Sequence, residues 1–204
     1  MTLIDKALEA ELRALHQAAD RHYHGLSHVE ALLRLAAEHR RELRDPDAVE
    51  AAIWFHDAVY DSRKGDNELR SADLARERLA DRVEPKRLRH IAGMIEATAG
   101  HELPDFDDPA ALGDAALFLD MDLSILGASP EIFDAYETAL RREYGWVREA
   151  DWQRGRRDVL RRFLSREHVF HTESFQTAYE AKARENLSRS LARLGAASST
   201  SSLA

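Results

Sequence analysis

Histidine and aspartate are the side chains through which this chain could do chemistry. Its ten histidines include His22, His24 and His28 in one short stretch, and His56 stands directly beside Asp57. Cysteine is absent, which excludes disulfides, thiolate metal sites and cysteine nucleophiles and leaves nitrogen and oxygen donors for any metal. A single histidine on an apolar helix is ordinarily a core residue whose polar atoms find partners. The pair is different. His56-Asp57 follows Ala51-Ala52-Ile53-Trp54-Phe55, and two ionisable groups at the end of a buried helix require compensation. A divalent metal supplies it, because neutral imidazole and carboxylate suit Zn, Mn, Fe, Co or Ni, and carboxylate also suits Mg.

The elements that must position these residues are helices. Apolar residues recur at spacings of three and four, as in Leu8, Leu12 and Leu15 and again in Val29, Leu32, Leu33 and Ala36, and no strand pattern appears. Stop and start signals cut the chain into about eight helices. The first should run from about Leu3 to Ala19 and the second from Ser27 to Leu43, with Ser27 and Glu30 as a capping box and His28 in the opening turn. Asp45-Pro46 reads as an N-cap followed by proline at N1, opening the buried helix that leads into His56-Asp57. A loop over 61–66 precedes a helix capped by Asp66 or Asn67, and Pro85 opens another that ends near Gly100. An acidic loop from His101 to Pro109 feeds an apolar helix containing Asp120 and Asp122. Pro130, Asp151 and Thr172 begin the last three helices, and Gly195 should end the final one. The expected organisation is therefore all-α, a single helical domain over residues 1–195 and a disordered tail over 196–204.

With 44% hydrophobic and 32% charged residues the chain suits a globular protein of amphipathic helices. A formal net charge of −8 disfavours general nucleic-acid binding, although a bound metal or convergent arginines could still hold a small anionic substrate. The N-terminal residues show no signal-peptide pattern and no apolar run approaches a membrane span, so a cytoplasmic location without membrane association is expected. None of the nine glycines forms a P-loop, a dinucleotide fingerprint or a nucleophile elbow.

The residues resemble the HD superfamily of metal-dependent phosphohydrolases, whose pattern is a histidine, a His-Asp pair and a distant aspartate. His28, His56-Asp57 and Asp122 match in that order. The likeness is sharper to a bacterial branch described as predicted metal-dependent HD phosphohydrolases. It is carried by the blocks Tyr23 to His28, Trp54 to Asp61, Asp66-Asn67-Glu68, Leu119 to Gly127 and Arg184-Glu185-Asn186-Leu187, which span nearly the whole chain. The resemblance implies an HD-type helical bundle in which His28, His56, Asp57 and a later aspartate hold a divalent ion. Asp120 and Asp122 compete for that last place, and Asp122 is preferred.

The implied activity is cleavage of a small phosphoester, nucleotide-like, by water activated on the metal. Glu68 resembles an acidic residue that several such enzymes use to orient water or act as general base, and it equally suits the first turn of a helix as a favourable charge. Asp57 shares the catalytic assignment. Arg21, His24 and His101 are candidates for contact with substrate phosphate, followed by Arg142, Arg148 and Arg156. A non-catalytic metal or nucleotide sensor is the alternative from another class. A di-iron oxygenase is a further one and would need both His90 and His101 as extra ligands. A homodimer is left open.

Overall fold

The computed structural model describes residues 3–200, with side chains described for 3–196. Among the described residues there are nine α-helices, one 3-10 turn and no strand. The chain divides into two compact units, Met1–Asp122 and Leu123–Ala204.

In the first unit α1 (Lys6–His16) begins at Asp5, whose carboxylate accepts from the amides of Ala7 and Leu8, and it buries Leu8, Leu12 and His16 at intervals of four. The helix is shorter at both ends than the apolar spacing suggested. α2 (Leu26–Glu38) starts at Gly25 with no side-chain cap, so the expected Ser27 capping box does not form. Glu30 instead reaches Arg13 of α1 at 2.9 Å.

α3 (Pro46–Phe55) is the centre of this unit. It contacts α1, α2, α4 (Asn67–Leu79) and α5 (Pro85–Ala97), and Val49, Ala51, Ala52, Ile53 and Phe55 are fully enclosed. Each such large apolar side chain contributes about 1.5–3 kcal/mol of burial. Asp45 caps α3 through the Ala48 amide, as its Asp-Pro sequence predicts. α6 (Pro109–Leu123) is tied to the same start: the buried carboxylate of Asp114 accepts from the amides of Arg44 and Asp45, both at 2.8 Å.

The second unit holds a 3-10 turn (Ser124–Gly127), α7 (Pro130–Glu143), α8 (Glu149–Leu164) and α9 (Glu173–Thr200). The Leu119 to Gly127 and Arg184 to Leu187 motifs meet here for structural reasons. Asn186 donates to the carbonyls of Leu126 and Ala128 at 2.9 Å, and a Cβ on Gly127 would lie 2.7 Å from the Tyr179 Cβ. Gly195 does not end α9. A helix-ending glycine takes a left-handed backbone, and no glycine among the described residues does so. Of the expected tail, residues 201–204 lie outside the described residues. No helix among them is long and apolar enough to cross a membrane.

Candidate metal centre

His28 sits in the first turn of α2 and is 7% exposed, His56 is the C-cap of α3 at 2%, and Asp122 is the penultimate residue of α6. The chain leaves the helix after Phe55, which lets Asp57 turn back toward the same point as His56. The two Nε2 atoms of His28 and His56 face each other at 3.1 Å. Asp122 Oδ1 lies 3.0 Å from His28 Nε2 and 3.8 Å from His56 Nε2. Asp57 Oδ2 lies 3.1 Å from His56 Nε2 and 3.9 Å from His28 Nε2. Asp120, fully buried, is outside this group of donors.

These atoms fit a metal. Bonds of about 2.0–2.2 Å to nitrogen and oxygen place adjacent ligands of one ion about 3–3.5 Å apart. His28, His56 and Asp122 form a group that could hold such an ion; Asp57 is not part of that group and borders it through the imidazoles, 3.1 Å from His56 and 3.9 Å from His28. His56 Nδ1 lies 2.8 Å from the Ile53 carbonyl, so Nδ1 carries the proton and donates it, leaving the Nε2 lone pair for the cluster.

The electrostatics ask for a cation. Burial pushes the Asp57 carboxyl up, but the His56, His24 and His28 imidazoles outweigh it and hold the group well below the usual range. Asp122 behaves alike, with His101 and His28 hydrogen bonds overcoming burial. Burial pushes the His56 imidazole down, yet the charge and hydrogen bond of Asp57 and the charge of Asp122 carry it up to about 9.

The turn that presents His56 and Asp57 is braced by four side chains, of which His16 and Ser71 carried no functional expectation and Arg21 and Asn67 carried different ones. His16 Nε2 donates to the Trp54 carbonyl at 2.9 Å, while its Nδ1 accepts from Arg21 Nη1 at 3.3 Å. The Arg21 guanidinium also donates to the carbonyls of His24, Asp57 and Ala58. That geometry makes Arg21 a strut of the turn and gives no support to its expected phosphate contact. On the far side, Ser71 Oγ bonds the amide and carbonyl of Val59, and buried Asn67 grips both backbone groups of Asp61 at 3.0 Å. Asn67 was legible as a helix cap and as part of the Asp66-Asn67-Glu68 block, not as a brace. His16 carried a signal, since it continues the buried face of Leu8 and Leu12.

The remaining candidates separate clearly. His24 stacks on Tyr60 with ring centroids 4.5 Å apart, close enough for its charge to act on Asp57. Glu68 lies in the first turn of α4, half-buried and without a hydrogen bond or ion pair to the described residues. His101 is not an exposed loop residue: its Nε2 meets Asp122 Oδ2 at 2.8 Å. His90 packs on Phe106, with centroids 4.9 Å apart. In the second unit Arg156 is buried in an ion pair with Glu137, Arg148 pairs with Asp151 and Arg142 is exposed.

No family model, curated protein or solved structure matches the chain.

Proposed function

We propose that this protein is a metal-dependent phosphohydrolase of HD type that cleaves a phosphoester of a small, nucleotide-like molecule. The observation that supports the reading is the grouping of His28, His56 and Asp122 in the first unit, with Asp57 beside His56, in the order of the motif. His28, His56, Asp57 and Asp122 would hold a divalent ion of the Mn, Co, Ni, Mg, Zn or Fe class. Bound there, the ion would make hydroxide available near neutral pH and polarise a phosphoryl oxygen.

The chain's own residues do the rest. His56 keeps its Nε2 lone pair toward the cluster because Nδ1–H is committed to Ile53. Asp57, held ionised, balances positive charge and orients a water by accepting its hydrogen. Glu68, whose side chain pairs with no described residue, would accept the proton of the attacking water and return it to the leaving ester oxygen as the P–O bond breaks. His24, beside Asp57 and steadied by Tyr60, donates to a non-bridging phosphate oxygen.

The test is metal analysis of the wild-type and His56→Ala proteins, combined with a screen of nucleotides and other phosphoesters. One metal per chain is expected in the wild type and none in His56→Ala; equal stoichiometry would remove the site assignment. Glu68→Ala should retain the metal and lose turnover by about 10²–10⁴-fold. Unchanged turnover would return Glu68 to the role of a helix-terminal charge. Tight nucleotide binding with no phosphate release from any substrate would favour a sensor instead.

A further inference from the structure

We infer that His101 is a positioning residue that fixes the Asp122 carboxylate with a single oxygen turned to the metal cluster, an inference that rests on the metal reading of this site. It begins with the backbone. His101 has φ 52°, the one left-handed non-glycine among the described residues, and no glycine among them shares that conformation. The left-handed region brings a Cβ too close to the following carbonyl oxygen and is disfavoured for a residue that has one. Gly100 stands immediately before it and would adopt the conformation at little cost. The chain instead closes α5 through His101, whose amide donates to the Ala97 carbonyl at 2.8 Å. The left-handed step aims the imidazole at α6.

Each Asp122 oxygen then has its own partner. Oδ2 accepts from His101 Nε2 at 2.8 Å, and Oδ1 is 3.0 Å from His28 Nε2. An ionised carboxylate only accepts, so the His101 Nε2 carries the hydrogen. Rotation of the carboxylate would break that bond, so Asp122 Oδ2, engaged by His101, is withheld from the cluster. The loop bearing His101 is itself fastened. Phe106 lies over Gly93 of α5, where an added Cβ would come within 2.6 Å of its ring, and Lys86 Nζ holds Asp108 at 2.8 Å. A hydrogen bond of this kind to a ligating carboxylate commonly sets metal affinity by 10- to 100-fold.

The test is titration with Co²⁺ or Mn²⁺, read by direct binding and, for Co²⁺, by the visible spectrum. His101→Gly relieves the backbone and removes the imidazole. It should melt at or above the wild-type temperature when metal-free, yet bind the ion about 10- to 100-fold more weakly with an altered Co²⁺ spectrum. His101→Gln, which keeps an N–H donor at similar reach, should recover much of the affinity, and His101→Leu should not. Wild-type affinity and spectrum in the glycine variant would overturn the inference. Should that variant fail to fold, equal affinities of the glutamine and leucine variants would overturn it as well. A wild-type protein that takes up no ion would remove the metal reading and this inference together, and that result is visible before any variant is made.

Discussion

His16 has a charge state that stability can report. Burial pushes its imidazole down to about 4 from an ordinary value of 6.5, and the Arg21 guanidinium on its Nδ1 adds to the effect. The unfolded chain therefore binds a proton that the folded chain refuses between those values. The stabilisation is complete above pH 6.5 and is lost as pH falls through about 4. Its magnitude is on the order of 3 kcal/mol from 1.36 kcal/mol per unit. Replacing His16 by Gln should flatten the denaturant-unfolding stability between pH 6.5 and 4; an unchanged acid slope would assign it to other groups. The same residue shows what a sequence conceals. Its burial followed from the face it shares with Leu8 and Leu12, whereas its bond to Trp54, 38 positions away, depends on which neighbour α1 meets.

At the scale of elements, the helix ends carry the site. His28 lies at a helix start, while His56 and Asp122 lie at helix ends, where the backbone can change direction and side chains converge. The loop after α5 is held by a glycine for reasons of space. Gly93→Ala places a Cβ 2.6 Å from the Phe106 ring, so the ring must leave its seat. The expected cost is about 1–3 kcal/mol in thermal or denaturant unfolding, and no loss would mean the ring moves aside freely. The helices themselves were legible where proline and capping signals coincided, as at Asp45-Pro46, Pro85 and Pro130. Ser27-x-x-Glu30 misled because Glu30 had a better partner in Arg13 of another helix. Gly100 marked the end of α5 to within three residues, and the left-handed step falls on His101 beside it.

For the whole molecule, the four donors of the candidate site all belong to the first compact unit, although Asp57 and Asp122 are separated by two complete helices and their loops. The resemblance named His28, His56, Asp57 and Asp122, and among the described residues His28, His56 and Asp122 lie together with Asp57 beside His56. Spacing could not reveal the struts, because Arg21, Asn67 and Asp114 act on backbone groups that no side-chain pattern marks. Asp114 sets more than a helix start. It grips the beginning of α3, and eight residues later Asp122 Oδ1 lies 3.8 Å from His56 Nε2 at that helix's end, so α6 is pinned to both ends of α3. Between those pins α6 is a ruler whose length is counted in residues. An alanine inserted after Ala116 would turn Asp122 by about 100° and advance it about 1.5 Å. Such a chain should keep its helical circular dichroism and lose its metal, and stoichiometric metal in the insertion variant would disprove the ruler. The number of residues between Asp114 and Asp122 is therefore a constraint of its own, separate from the packing of the buried side chains that lie between them.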